Sequence, residues 1–475
     1  MLRLYNTRTR KVEEFKPHRG RDVRIYVCGL TPSAEPHLGH ARSFLFFDVL
    51  RRYLRHLGYS VLYVQNVTDI DDRSIAASLQ EGLPVFEVVA RHFVSFKRSM
   101  QRLGVAEPDL EPRATEFIGP ILTMIEKLVE SGHAYVSEDG IYFRVASFSR
   151  YGELSGKHVD ELMVGARIAE NEHKNDPLDF ALWKFAKPGE PSWDSEWGAG
   201  RPGWHIECSA MAHELLGEPL DIHGGGYDLV FPHHENEIAQ TESIERPPMA
   251  NYWVHGGMLL FEQKKMSKSL GNYEPLEKLL DRVDPQAVRL WFLQTGYRKP
   301  INFNEEALAG ARAGIAKLRK AWRTLFNAAF GDAQTDGHAL IERIHEVVWA
   351  TQDYDDLVAR VDEALSDDMN TAAALAALFD AAGKAEEYVR RGEARQAAVA
   401  FTYALSLLNL FAERKWLEEP KLEIDPRLIE ELIERRNRAR AEKDFATADK
   451  VRAELAAQRV LLHDTRDGTT WSVAE

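Results

Sequence analysis

The chain of 475 residues has almost no cysteine: Cys28 and Cys208 are the only two. That excludes a disulfide scaffold, and two thiols so far apart in sequence read as buried structural groups or as ligands. Long apolar runs are also missing. No stretch approaches the roughly 20 apolar residues that a membrane span requires. The opening MLRLYNTRTRKVEEF interrupts its apolar residues with charges almost at once, which argues against a secretory signal. A cytoplasmic address with no membrane partner is expected. Positive charge is in deficit, with 60 Lys+Arg against 74 Asp+Glu and a formal net charge of −14. Indiscriminate nucleic-acid binding is thereby disfavoured, although a nucleic-acid partner can still be held on local basic surface. No internal repeat and no low-complexity tract interrupts the chain.

What is present is an ordinary globular composition, 44% hydrophobic and 28% charged, in a chain long enough for several cores. VRIYVCGL (23–30) has the pattern of a buried strand, RSFLFFDVLRRYLRHLG (42–58) carries apolar residues at helical spacing, and SVLYVQN is a second strand. This is the β-loop-α-β half-unit of a doubly wound sheet, whose ligands sit at the carboxyl ends of the strands. The fold class expected is α/β: a Rossmann-like doubly wound parallel sheet with an insertion, then an α-helical bundle and a small C-terminal α+β domain. The sheet domain is expected over 1–114 and 201–250, split by a connective insertion at 115–200 with a hairpin turning at Asp139-Gly140. A junction at 251–304 follows, opening on an apolar hairpin, YWVHGGMLLFE, with Asp284 and Pro285 as N-cap and N1 of a helix. The bundle is expected over 305–415, and 424–475 forms two charged helices and a short hairpin.

Two stretches carry anion chemistry. PHLGHAR (36–42) leads into the first helix, where His37 and His40 can donate ring N–H groups to an anion while Gly39 lets a nucleotide approach the backbone. KKMSKSLGN (264–272) sets Lys265 and Lys268 among serines and a glycine on an expected loop, suited to a polyphosphate that is gripped and then released. A third constellation carries metal chemistry. Cys28 ends the first strand, Cys208 lies in GWHIECSAMA, and His233 and Glu237 stand four apart in FPHHENEIAQ. Two thiolates, an imidazole and a carboxylate make a plausible Zn²⁺ set. His205, His223 and His234 are also able ligands, and spacing does not exclude them.

HLGH early and KMSKS late resemble the class I aminoacyl-tRNA synthetases. With NVTDIDD, GRPGWHIECSAM, DIHGGGYDLVFPHHENEIAQ, DDMNTAAALAAL and KDFATADKVRAEL before DTRDGTTW, the chain looks like a cysteinyl-tRNA synthetase from end to end. The resemblance implies ATP, with Mg²⁺, as a substrate held by His37, Gly39, His40, Asp228, Lys265 and Lys268. It implies one Zn²⁺ per chain on Cys28, Cys208, His233 and Glu237, binding the thiolate of the substrate L-cysteine, with Thr31 and Trp204 lining the pocket. A catalytic role for a zinc with four protein ligands then requires five-coordination or a loosened Glu237. It implies tRNA(Cys) as partner, met by the bundle, by the terminal domain as an anticodon-binding module, and by Arg435, Arg436, Arg438 and Arg440. A monomer suffices. One departure stands out: the family's first motif usually runs Cys-Gly-Pro-Thr-Val-Tyr, and here it is Cys-Gly-Leu-Thr-Pro-Ser, with Thr31 kept. The rival within enzymes is the cysteine ligase of mycothiol synthesis, which joins cysteine to an aminosugar. It is expected to be a shorter chain without the terminal tRNA domain.

Overall fold

The apolar segment ending at Cys28 builds the centre of the molecule. The computed structural model describes residues 1–156, 173–244, 248–261, 264–265, 274–331, 356–410, 425–442, 444–458, 460–465 and 468–473. After a hairpin of β1 (Arg3–Asn6) and β2 (Lys11–Glu14), the predicted strand forms as β3 (Asp22–Leu30). The helix Leu38–His56 then leads to β4 (Ser60–Val67). An antiparallel sheet of β5 (Ala134–Val136), β6 (Gly140–Phe143), β7 (Phe180–Phe185) and β8 (Gly200–Pro202) follows, in which β5 and β6 form the hairpin expected at Asp139-Gly140. The chain returns through the helix Trp204–Leu216 into β9 (Leu220–Gly226), and through the helix Glu235–Ile244 into β10 (Ala250–Gly256).

Strands β10, β9, β3 and β4 make one parallel sheet in that order. Parallel strands need crossovers, and helices packed on the sheet bury both faces, which is why these strands read as near-continuous apolar runs. The sequence neighbours β3 and β4 are adjacent, whereas β9 joins β3 from the other side, so the order reverses between β3 and β9. Their carboxyl ends therefore flank the crevice where such sheets bind ligands.

Three local expectations differ from the outcome. GGGYDL (224–229), whose glycines read in the sequence as a loop, is not one from its first residue: Gly224, Gly225 and Gly226 finish β9, paired with Val254, His255 and Gly256. Glycine is required there because a Cβ on Gly224 would stand 2.2 Å from Phe47 Cζ. YWVHGGMLLFE is not a hairpin either. β10 belongs to the parallel sheet, while β11 (Leu259–Phe261) joins a second sheet with β12 (Lys264–Lys265) and β13 (Ile301–Phe303), in the order β12, β11, β13. The break is at Gly257, whose N–H donates to Tyr297 O at 2.7 Å and whose bare Cα lets residues 298–299 approach. Lys265, expected in a loop, ends β12 opposite Leu260.

The helix Pro285–Leu293 starts as predicted, with the Asp284 carboxylate accepting from Gln286 N–H at 2.8 Å and Pro285 in the first turn. Helices Glu305–Phe330, Asp356–Ser366, Thr371–Gly383, Ala385–Arg390 and Ala394–Leu407 continue the chain. Trp322, fully buried in the first of them, satisfies its indole N–H on Thr402 Oγ1 at 2.8 Å. The chain divides into two units, Met1–Leu410 and Phe411–Glu475. The second contains the helices Pro426–Ala441 and Phe445–Ala457 and the hairpin β14 (Val460–Thr465) and β15 (Gly468–Val473). Its small core is Ile429, Leu432, Ile433, Val451, Leu455 and Val460, with Trp471 packed against it.

Within the first unit a buried ion cluster ties the sheet domain to the helices. Asp48, on the helix Leu38–His56, accepts from Arg289 at 2.8 Å and Arg52 at 3.0 Å, and from Ala106 N–H at 3.1 Å. Arg289 also donates to Leu408 O at 2.8 Å and Leu103 O at 3.1 Å, so four chain segments meet on one guanidinium. Burial pushes the Asp48 carboxyl upward, but the charges of Arg289 and Arg52 outweigh it and hold the group below the usual carboxylate range. A depressed folded value stabilises the fold above the unfolded carboxylate pKa and loses that contribution as pH falls through the folded one. Asp48→Asn is therefore expected to lower unfolding free energy at pH 7 by about 3 kcal/mol, the scale of a broken buried pair. In denaturant titrations the gap between variant and parent should narrow below about pH 4, where the unfolded carboxylate protonates; a gap constant with pH would refute the assignment.

Candidate metal and nucleotide site

Cys28 reaches the crevice through a bulge. Val27 pairs with Gln65 but Leu30 pairs with Val67, so β3 carries one residue more than β4 across this interval. Bulges re-aim side chains at strand ends. Gly29 is the residue that permits it: a Cβ there would lie 1.6 Å from Asn66 O, and Gly29 N–H donates to Asn66 Oδ1 at 2.8 Å. Cys208 arrives from the helix Trp204–Leu216, which Gly203 launches off the insertion sheet by donating its N–H to Leu182 O at 2.8 Å. His233 and Glu237 flank the start of the helix Glu235–Ile244.

These four residues are brought together. One ligand atom from each of Cys28, Cys208, His233 and Glu237 lies within 4.8 Å of the others, and all four side chains are buried. Glu237 Oε1 is 3.3 Å from Cys28 Sγ and 3.0 Å from His233 Nε2. The edges of a zinc tetrahedron with sulfur, nitrogen and oxygen ligands are about 3.3–3.8 Å; the Cys28–Glu237 separation reaches that range, and the His233–Glu237 one is slightly shorter. A second set satisfies the same limit, Cys28 with His223, His234 and Glu237. His223 Nε2 stands 2.8 Å from Glu237 Oε2, and His234 Nδ1 pairs with His255 Nε2 at 2.7 Å. His205 faces the ring of His233 from behind, Nδ1 to Nδ1 at 2.9 Å.

The electrostatics suit a cation. Burial pushes both thiols above their ordinary range, so ionising them calls for a positive charge at the site. Burial, with neighbouring histidines, holds His233 and His234 far below the ordinary imidazole range, and His205 and His255 fall to about 3. Neutral imidazoles are the form that binds metals. Trp204, half-buried, packs its ring 4.3 Å from that of His233 and lies beneath the guanidinium of Arg73.

The same strand end feeds the histidine motif. The loop after β3 is pinned by Glu35, which accepts from Ser95 Oγ at 2.8 Å and faces His92 Nδ1 at 3.2 Å, and by Pro36 O, which accepts from Leu276 N–H at 3.0 Å. His37 is the N-cap of the helix Leu38–His56. Its Nδ1 accepts from Gly39 N–H at 3.1 Å while its own N–H donates to His40 Nδ1 at 3.3 Å, and the two rings stack at 3.7 Å. Both Nδ1 atoms are acceptors, so each neutral ring carries its proton on Nε2. Asp228 is exposed in the turn Tyr227–Leu229, its carboxylate beside Gly226, and Thr31 is half-buried just past β3. Lys268 lies outside the described residues, and Lys265 is described in its backbone only. In the terminal unit, Arg435, Arg438 and Arg440 are exposed on the helix Pro426–Ala441, whereas Arg436 is buried and donates to Thr469 Oγ1 at 3.4 Å. Arg436 falls on the same helical face as Leu432 and Ile433, which explains its inward turn.

Sequence reading missed Gly29, Asn66 and Arg42. The adjacency of glycine to a ligand cysteine was the available signal for the first.

Among the described residues no helix is long and apolar enough to cross a membrane. Residues 14–313 match the family model of the class I (C) tRNA synthetase catalytic domain, and residues 360–413 match the DALR domain. The chain is 45% identical over 482 residues to a "Cysteine--tRNA ligase" of Methylococcus capsulatus, covering 99% of each chain. It is 44% identical over 477 residues to that of Thermococcus gammatolerans, covering 99% of this chain and 98% of the relative. Among solved structures, Mycobacterium tuberculosis methionyl-tRNA synthetase in complex with methionyl-adenylate aligns with a TM-score of 0.56 at 18% identity, covering 82% of this chain and 90% of that one. A leucyl enzyme of Agrobacterium radiobacter, in a ternary complex with tRNA, aligns at 0.57 and 12% identity, covering 84% of this chain and 85% of that one; both likenesses concern the fold. With a parallel sheet whose switch point holds a buried Cys/His/Glu cluster beside an HLGH helix, and with relatives matched over their whole length, the chain belongs to the cysteinyl-tRNA synthetase family of class I aminoacyl-tRNA synthetases.

Proposed function

We propose that the chain activates L-cysteine with ATP and transfers it to tRNA(Cys), and that the buried cluster of Cys28, Cys208, His233 and Glu237 selects the amino acid. The observation that carries this reading is the meeting of those four ligand atoms at the end of the strand that also leads to His37 and His40. The fit of the set to Zn²⁺, one per chain, rests on its two sulfurs and on the convergence of its four ligand atoms within 4.8 Å of one another. When bound, zinc supplies a soft Lewis acid that prefers a thiolate to a hydroxyl, the one difference between cysteine and serine. His205 backs His233, and His223 holds the far oxygen of Glu237, the kind of outer contact that orients metal ligands. His223 would keep the far oxygen of that carboxylate paired whether or not Glu237 served as a metal ligand. Thr31 and Trp204 line the cysteine pocket in this reading.

The nucleotide would lie across the helix N-terminus. The Nε2–H groups of His37 and His40 and the backbone at Gly39 meet the phosphates of ATP·Mg²⁺, Asp228 takes the ribose, and Lys265 and Lys268 take the leaving phosphates. A cysteine carboxylate oxygen bonds to the α-phosphorus as the bond to pyrophosphate breaks. No general base is needed, since the carboxylate is already ionised. The terminal hydroxyl of tRNA then attacks the activated carbonyl and AMP leaves. The helices over 305–415 and the module over 424–475, with Arg435, Arg436, Arg438 and Arg440, are assigned to the tRNA; exposed Arg435, Arg438 and Arg440 suit phosphates or unpaired bases, and Arg436 acts by seating the terminal hairpin.

The deciding experiment is tRNA charging with labelled cysteine beside cysteine-dependent pyrophosphate exchange. Exchange and charging are both expected, and exchange coupled instead to an aminosugar would overturn the reading. Cys208→Ser should cut bound zinc and raise the KM for cysteine at least tenfold while leaving ATP binding within about twofold, as loss of a soft ligand implies. Metal analysis showing full zinc in that variant sinks the ligand set. Lys268→Ala should slow single-turnover adenylate formation about 100-fold, the scale of a lost charge-stabilising donor, with cysteine affinity near that of the parent.

A further inference from the structure

Arg42 lies two residues after His40 and is 6% exposed, yet no carboxylate among the described residues forms an ion pair with it. Burial alone brings its pKa down to about 10. Its guanidinium is spent on three backbone carbonyls: Nη1 donates to Met258 O at 2.6 Å, and Nη2 to Tyr297 O at 3.2 Å and to Lys299 O. Those carbonyls flank β11 and β13. Met258 O also accepts from Ile301 N–H at 3.1 Å, and Tyr297 O from Gly257 N–H at 2.7 Å, so the fork closes a junction that the two strands begin. Two residues past Met258, Leu260 pairs with Lys265. On the other side, Tyr297 stacks on Phe46 of the same helix at 4.0 Å and donates its hydroxyl to Asp368 at 2.8 Å.

A buried guanidinium without a counter-charge is a poor way to gain stability, since an apolar side chain of similar volume would fill the same space without desolvating a charge. What it gains is geometry: a rigid planar fork donates to three carbonyls in fixed directions, which neither an alkyl chain nor an ammonium can do. We propose that Arg42 is a positioning residue for amino-acid activation, fixing the helix that begins with His37 and His40 against the strand pair that ends at Lys265, so that the two nucleotide-gripping motifs keep one separation. The inference rests on the reading of those motifs as the ATP site.

The test uses the full chain carrying Arg42→Lys or Arg42→Met, with rates expressed per active site titrated by adenylate burst, so that unfolded chains do not count. Pyrophosphate exchange is expected to lose about tenfold in kcat in Arg42→Lys and about 100-fold in Arg42→Met, the range of a misplacement near 1 Å. Zinc content and the KM for cysteine should stay at parental values, because none of the three carbonyls belongs to the Cys28 cluster. A kcat per active site within twofold of the parent in both variants overturns the proposal. So does a fall in kcat that comes with lost zinc or weakened cysteine binding, which marks a general structural role. Absence of exchange in the parent itself would instead overturn the ATP-site reading.

Discussion

A carboxylate that water cannot reach sets the terms for the centre of this protein. Glu237 is fully buried, with one oxygen facing Cys28 Sγ and His233 Nε2 and the other facing His223 Nε2. A buried charge of this kind is costly unless paired. Three elements around it supply donors or ligands: the bulged end of β3 brings Cys28, the helix launched from the insertion sheet brings Cys208, and β9 brings His223. The insertion is thus part of the site's architecture. Without Gly203 seated on β7, the helix carrying Trp204 and Cys208 would have no fixed starting point.

Much of this was legible in the sequence, because the strands and helices that matter have strong patterns. β3 appears where apolar periodicity puts it, the helix expected from residue 42 starts one turn earlier at Leu38, and Asp284-Pro285 caps its helix as capping chemistry requires. What periodicity could not give was partner choice. YWVHGGMLLFE has the look of a hairpin, but Gly257 lets the chain be captured by residues 297–301, so its two halves enter different sheets. The glycine triplet after DIH reads as a loop, yet close approach of Phe47 keeps Gly224 in the strand.

The metal constellation shows the same division. The residue types of Cys28, Cys208, His233 and Glu237 were readable, and so was the presence of three further histidines, but one-dimensional spacing could not rank them. Three dimensions set one of them apart: His205 meets His233 through the ring nitrogen that does not face Glu237, whereas His223 and His234 form a second set with Cys28 and Glu237 within the same limit. Arg42 left no trace in any pattern, since its partners are carbonyls contributed by distant segments.

The stretch CGLTPSAEPHLGHAR joins two chemistries through fixed backbone. At its start, the bulge at Cys28-Gly29 turns a soft ligand toward the cluster. At its end, the rings of His37 and His40 complete a capping box, each giving its Nδ1 to a backbone N–H. That settles the tautomer: the remaining ring proton sits on Nε2, and the imidazoles stand at the positive end of the helix dipole as donors. The unusual Leu-Thr-Pro-Ser between them does not loosen this span. Leu30 still pairs with Val67, Leu30 O accepts from Thr68 N–H at 3.0 Å, and Glu35 and Pro36 are held by other helices. Because the backbone of Leu30 is fixed at one end and Glu35 and Pro36 at the other, the separation between Cys28 and the two histidines is set by the sheet and the helix, and of that tetrapeptide only Thr31, Pro32 and Ser33 lie outside those anchors.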